Sequence, residues 1–230
     1  MLPKHVAFMT RGNVTWAKQN SKTVSEAYRL RLQKILSLVD QQVKHKIPIF
    51  TFYLFSSSIQ KEAEFFEHYL EELITFFEGL RTNKIIHENR IKISVLGKWY
   101  NLPSRLVEPI KLAIEETRDY DGLFLNLCLN YDGQEELVDA CRVLALKVRS
   151  NKLDPEGITK DEIKENLYSS YFMPPDIIVV NYNVPVLSGF LLWDSVDSYV
   201  YMTGKLWPDF TVRDFSDILK RYEKEKPSTN

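Results

Sequence analysis

The sequence predicts an α/β fold, a central and mostly parallel β-sheet with helices on both faces. Two observations carry this. Short runs rich in β-branched and aromatic residues recur between long amphipathic stretches, the alternation that builds parallel sheets with crossover helices. The runs also lack the polar alternation of a half-solvated strand, so both of their faces are covered.

Taken in order, "HVAFM" at residue 5 is the first strand. Tyr28, Leu32, Ile35, Leu36, Val39 and Val43 then recur at helical spacing. "IFTFYLF" at 49 is the second strand, and Ala63, Phe66, Leu70, Leu73, Phe77 and Leu80 step by 3, 4, 3, 4 and 3 along a long helix with one apolar face. "IKISVLG" at 91 is the third strand, residues 103–118 a helix, "LFLNLCLNY" at 123 the fourth strand and 134–150 another helix. A shorter helix over 159–168 opens on a capping box of Thr159 and Glu162. "DIIVVNY" at 176 completes the strands. Nothing marks an internal boundary, so one domain is expected over 1–222. The tail 223–230, "EKEKPSTN", is charged, lacks apolar residues and is expected to fray.

With 230 residues and 44% hydrophobic content the chain can bury one sizeable core. Its 30 basic and 31 acidic side chains leave a net charge of −1, without the global positive field that draws proteins to nucleic acid or anionic membranes. Nucleic acid is therefore not an expected partner. No apolar run reaches the roughly 18 residues of a spanning helix and no secretory signal opens the sequence, so a cytoplasmic location is expected. The Asn13-Val14-Thr15 sequon is accordingly set aside. Cys128 and Cys141 are too few for a disulfide framework and read as two buried thiols. The four histidines lie far apart without metal-ligand spacing, and no G-x-S-x-G or P-loop motif occurs. The adjacent acids Glu115-Glu116 and Glu135-Glu136 read as solvated helix surface.

In such sheets ligands gather at the carboxyl ends of the strands, and the segments there are distinctive. "HVAFMTRGNVTWAK" resembles the cis-prenyltransferase signature H-x-A-x-x-M-D-G-N-G-R-W-A-K of the undecaprenyl and dehydrodolichyl diphosphate synthases. "YLFSSS", "LNLCLNYDGQEELVDA", "PPDIIV", "LSGFLLWDS" and "YMTGKLWPDF" follow further motifs of that family in order, and the resemblance runs from about residue 4 to 222. It implies a cis-prenyltransferase-like fold. It also implies an electrostatic mechanism, in which a carboxylate after the first strand holds Mg²⁺ on an allylic diphosphate and arginines neutralise the phosphates while isopentenyl diphosphate condenses.

The sequence departs from the pattern where that chemistry resides. Arg11 stands where the family has its metal-binding aspartate, and a guanidinium has no lone pair for a metal. Val14 and Thr15 replace the glycine and arginine of the same turn, and Val24 and Tyr28 replace an arginine and a histidine on the following helix. Ile59, Gln60 and Glu62 replace an asparagine, a tryptophan and an arginine. Val180 and Val186 stand for arginines and Tyr199 for the second metal-binding glutamate. No catalytic residue is therefore assigned, and no metal or cofactor is expected in this chain, Mg²⁺ being expected only in a catalytic partner. Arg11 retains the alternative of holding a phosphate directly in place of the metal. The residual ligand-site candidates are Gly12, Asn13, Trp16, Phe55, Ser56 and Ser188.

The resemblance then implies a noncatalytic accessory subunit that pairs with a homologous catalytic chain in a complex making long-chain, dolichyl-type polyprenyl diphosphate, peripheral to the endoplasmic reticulum membrane through that partner. Such subunits often contribute a C-terminal R-x-G, which the ending "LKRYEKEKPSTN" does not carry. Phe190, Leu191, Trp193, Tyr199, Tyr201 and Trp207 are the interface candidates, with the chain's own core as the competing place for these aromatics. Two alternatives stand beside this reading: an atypical active prenyl transferase with a rebuilt diphosphate site, and a polyprenyl-binding module whose tunnel would be lined by Leu54, Phe66, Leu70 and Phe77.

Overall fold

The computed structural model describes residues 2–56, 63–182 and 186–225. Six strands, β1 (His5–Met9), β2 (Ile49–Tyr53), β3 (Ile91–Leu96), β4 (Leu123–Cys128), β5 (Ile177–Val180) and β6 (Tyr199–Met202), form one sheet in the order β3-β4-β2-β1-β5-β6, all pairs parallel. The helices are α1 (Asn13–Gln19), α2 (Val24–His45), α3 (Ala63–Arg81), α4 (Lys84–Glu88), α5 (Ser104–Glu116), α6 (Gly133–Arg149), α7 (Lys160–Glu165) and α8 (Val212–Glu225). The expected α/β architecture is therefore present.

Period-two alternation explains the layers. Val6 and Phe8 of β1 enter the larger core with Phe50, Phe52, Leu32, Ile35 and the α3 residues Leu70, Leu73 and Phe77. Ala7 and Met9 enter a second core with Cys128, Ile178, Phe172 and Phe190. On that second side Glu136 of α6 accepts hydrogen bonds from the Tyr131 hydroxyl at 2.5 Å and the Ser169 amide at 3.2 Å. Register sets the rim of the sheet: Met9 lies opposite both Tyr53 and Val180, so the residues that follow β1, β2 and β5 emerge at one level.

Local signals account for the helix ends. Thr23 caps α2 through a complete capping box with Glu26, and Lys46 closes it in the left-handed region at φ 51°. Thr159 accepts from the Glu162 amide as expected, whereas the Glu162 carboxylate is taken by Lys147 at 2.7 Å.

Several features differ from the sequence expectation. α1, α4, β6 and α8 were not foreseen. α8 buries Phe215, Ile218, Leu219 and Tyr222. It runs through Glu225, whose carboxylate accepts from the Tyr201 hydroxyl at 2.7 Å, so the segment expected to fray from Glu223 begins inside a packed helix. Cys128 is buried, but Cys141 lies on the exposed face of α6, so only one of the two thiols is a core residue.

Most of the interface candidates are also occupied within the chain. Trp207 and Phe210 stack at 5.7 Å, and Phe190, Leu191, Tyr201 and Trp207 are buried. Trp193 and Tyr199 are half-buried, the latter edge-on to Tyr222 at 5.4 Å. The outward apolar side chains of this region are instead Leu192, Val196, Val200 and Met202. Among the described residues no helix is long and apolar enough to cross a membrane.

Candidate functional site: a cleft at the carboxyl ends of β1 and β2

Beyond Met9 the chain must leave the sheet at once. Thr10 is buried, and its hydroxyl donates to the Tyr53 carbonyl at 2.7 Å, tying the ends of β1 and β2 together. Gly12 then turns at φ 88°, and a Cβ there would lie 2.6 Å from Leu206 Cδ2, so both the backbone conformation and the neighbouring chain demand glycine. Asn13 opens α1 and donates from Nδ2 to the Thr10 carbonyl at 2.9 Å. The Arg11 carbonyl accepts from the Trp207 amide at 2.8 Å, which pins the turn against the 3₁₀ turn Trp207–Asp209.

This turn, the start of α2 and the end of β2 enclose a cleft of about 430 Å³. Its walls include two arginines. Arg31 sits on the buried face of α2, only 4% exposed, in line with Tyr28 and Ile35. Its Nε donates to the Thr10 hydroxyl at 2.8 Å and its Nη2 to the Tyr53 carbonyl at 2.8 Å and to the Leu54 carbonyl. Its guanidinium lies 5.3 Å from the centre of the Tyr69 ring, which stacks on Tyr28 at 4.1 Å. Burial raises the Tyr69 hydroxyl pKa above its ordinary value, so this ring supplies a π face rather than a phenolate. Arg11 is half-exposed and donates to the Ser188 hydroxyl, and partial burial draws its pKa below the ordinary value. No Asp or Glu is among the described residues lining the cleft.

Of the residual site candidates, Gly12, Asn13, Phe55 and Ser56 line this cleft, and Ser188 reaches it through Arg11. Trp16 is directed elsewhere, its indole Nε1 donating to Asp209 Oδ1 at 2.8 Å. Among the positions where the family pattern is vacated, Arg11, Thr15 and Tyr28 line the cleft. Val24 packs on the larger core, and Val180 lies in the second core. Val186 is exposed. Ile59, Gln60 and Glu62 fall outside the described residues. The sequence reading missed Arg31 altogether. The signal was available: a charged residue three positions after Tyr28 and four before Ile35 occupies a core-facing register, where an unpaired cation is costly unless something compensates it.

In open parallel α/β sheets ligands bind outside the carboxyl ends of the strands, and the cleft beside the glycine turn after β1 lies there. The chain belongs to the undecaprenyl diphosphate synthase, or cis-prenyltransferase, family: residues 9–229 match the family described as "Putative undecaprenyl diphosphate synthase". It is 31% identical over 223 residues to the isoprenyl transferase of Halalkalibacterium halodurans, covering 97% of this chain and 87% of that protein. It is 28% identical over 228 residues to the geranylgeranyl-diphosphate-specific tritrans,polycis-undecaprenyl-diphosphate synthase of Thermoplasma acidophilum, again covering 97% and 87%. Among solved structures, lavandulyl diphosphate synthase from Lavandula x intermedia, in complex with dimethylallyl diphosphate, superimposes with a TM-score of 0.89 at 26% identity, over 99% of this chain and 98% of that one.

The Mg²⁺ that the family resemblance implies does not fit the residues present. Mg²⁺ takes oxygen ligands and is usually anchored on the protein by one or two carboxylates, whereas the residue after Thr10 is the cation Arg11 and a second cation, Arg31, lines the same cleft. Among the described residues no group of three or more His, Cys, Asp or Glu side chains is placed to hold a metal.

Proposed function

We propose that this chain is a noncatalytic subunit of a cis-prenyltransferase complex, working with a homologous catalytic chain that carries the metal and makes a long-chain polyprenyl diphosphate. The cleft, which no carboxylate lines among the described residues, carries the reading. Ionising an allylic diphosphate develops negative charge on the leaving group, which the family meets with a carboxylate-held metal and a set of arginines. Here the metal-ligand position is Arg11, and two other arginine positions are the aliphatic residues Val180 and Val186. The fold persists because its determinants are apolar runs, which the substitutions spare.

The exposed side chains of Val200 and Met202 on the edge strand β6, with Leu192 and Val196 exposed in the segment that precedes it, support a partner surface. An edge strand with exposed apolar side chains is a typical place for another chain to dock.

The test is isopentenyl incorporation into a farnesyl primer by the chain alone, by a catalytic family member from the same organism, and by the two together. The expected result is no turnover alone and a gain on combining them. Elongation by the lone chain at the rate of a catalytic family member would defeat the proposal, as would a catalytic partner indifferent to this chain. Arg11→Asp by itself is expected to leave the lone chain inactive, because one carboxylate does not restore the missing arginines.

A further inference from the structure

We infer that Glu136, Ser169, Asp194 and Lys164 form a proton-controlled latch, which holds the turn 188–197 against the body of the chain and loosens when Glu136 ionises. Its operation needs no partner chain and no ligand in the cleft. The turn it controls carries Ser188, which meets Arg11, and the exposed Leu192 and Val196.

Charge and burial set the latch. Glu136 is 1% exposed and Asp194 5%. They come from α6 and from the turn, and they meet at Ser169, whose amide donates to Glu136 Oε1 at 3.2 Å and whose hydroxyl donates to Asp194 Oδ2 at 2.6 Å. The ammonium of Lys164 on α7 donates to Asp194 Oδ2 at 2.6 Å and to the Ser169 carbonyl and hydroxyl at 2.9 and 3.1 Å, which commits all three of its protons. Asp194 Oδ1 is buried with no hydrogen-bond partner among the described residues. Two buried carboxylates facing one ammonium leave a negative charge uncompensated, and such a cluster takes up a proton. Burial raises Glu136 above the ordinary carboxylate range, against the hydrogen bonds from Tyr131 and Ser169. The other titratable groups that face the cluster are His5 of β1, Cys128 and Tyr131 at the end of β4, and Tyr168 with Asp139 of α6. Burial pushes the Cys128, Tyr131 and Tyr168 pKa values up and that of His5 down to about 4, so these four are neutral between pH 5.5 and 8.5. Despite partial burial, hydrogen bonds from Tyr168 and Lys98 hold Asp139 below its ordinary range, so it stays ionised there.

The turn needs holding. Ser188, Gly189 and Leu191 have φ of 48°, 74° and 46°, a left-handed region that side-chain-bearing residues keep only where their surroundings enforce it. Phe190 anchors one end, buried and edge-on to Tyr53 at 5.2 Å and to Tyr131 at 6.5 Å. The Gly189 carbonyl presses on the start of α6, where a Cβ on Gly133 would lie 2.1 Å from it. Asp194 anchors the other end. With Glu136 protonated, Asp194 and Lys164 form a neutral pair. Once ionised, Glu136 repels Asp194 and competes with it for Lys164, which favours a state in which the turn lifts and water reaches both carboxylates. Because the folded-state pKa of Glu136 lies above its ordinary 4.5, the hold is complete below that value and is lost as pH rises through the raised one.

Hydrogen exchange on the intact chain tests this, read by mass spectrometry from pH 5.5 to 8.5 and corrected for the intrinsic pH dependence of amide exchange. Peptides covering 188–197 report the turn, where the Phe190 and Ser195 amides donate to the Leu187 and Leu191 carbonyls, each at 2.9 Å. Peptides covering β1 report global opening. Protection of the turn is expected to fall at least fivefold as pH rises across this range, while protection of β1 changes by less than twofold. Glu136→Gln keeps the side-chain shape without the charge, and its turn should stay protected at every pH. Asp194→Asn removes the ion pair and should leave the turn poorly protected throughout. A wild-type turn whose protection is indifferent to pH, or a β1 that changes by the same factor as the turn, would overturn the inference, and this profile decides even where a variant does not fold. So would a folded Glu136→Gln that keeps the wild-type pH dependence, or a folded Asp194→Asn whose turn is as well protected as the wild type at pH 5.5.

Discussion

Trp207 is the residue whose role the structure changes most, and its replacement gives the sharpest test. Its side chain is fully buried, stacked on Phe210 at 5.7 Å and edge-on to Phe8 and Phe52, each at 6.2 Å. The indole Nε1 donates to the Arg31 carbonyl at 3.1 Å, joining the turn after β6 to the middle of α2. Trp207→Ala removes the ring and leaves a cavity between sheet and helix, which costs about 3–5 kcal/mol. The lost hydrogen bond adds about 1 kcal/mol. For a chain of this size each kcal/mol moves the midpoint by roughly 2–4 °C, so a fall of about 10–20 °C is expected in thermal unfolding followed by circular dichroism. Trp207→Phe keeps most of the packing and should lose only about 1–2 kcal/mol. Oligomeric mass, measured by light scattering on the same samples, separates core from interface. If Trp207→Ala left unfolding within about 1 kcal/mol of the parent while dissociating an oligomer, the core assignment would be wrong.

Two further outcomes follow from the geometry around β1. His5 is buried, with Nδ1 2.7 Å from the Met173 carbonyl and Nε2 2.7 Å from the Thr51 hydroxyl. The carbonyl can only accept, so Nδ1 carries the proton and Nε2 accepts from Thr51. Burial pushes the His5 pKa down to about 4 from its ordinary 6.5. Because the folded-state pKa is the lower one, the unfolded chain binds more protons between these values. The stability from a neutral His5 is complete above pH 6.5 and declines as pH falls toward 4, by up to about 3 kcal/mol. Urea unfolding at pH 7.5 and 4.5 reads this difference, and His5→Gln should flatten it; an unchanged slope would show that other groups produce it. Gly12→Ala should cost about 2–4 kcal/mol through the left-handed φ and the contact with Leu206. Leu206→Ala should relieve part of that cost in a double-mutant cycle, whereas strict additivity of the two changes would remove the steric explanation.

The strands β1 to β5 and the helices α2, α3, α5 and α6 were legible in the sequence because burial on one face or two writes a period into the residues. α8 was not read from the sequence, although Phe215, Ile218, Leu219 and Tyr222 keep helical spacing along its buried face. β6 was not legible: its "YVYM" is a short edge strand with Val200 and Met202 exposed, and an edge leaves little pattern. At the site, the turn of Arg11, Gly12 and Asn13 could be read directly, but Arg31 was hidden inside an otherwise apolar stripe.

Residue type and spacing therefore determined the α/β class, whereas the family was legible through the resemblance of short motifs, a resemblance that also sets Arg11 where that pattern has an acid. Only the tertiary structure decided which aromatics fill the core, and which groups meet at the cleft. Arg11 and Ser188 are 177 positions apart, and Arg31 and Thr10 are 21 apart. These meetings follow from parallel strand register and helix packing, which join distant segments through backbone hydrogen bonds that no local pattern specifies.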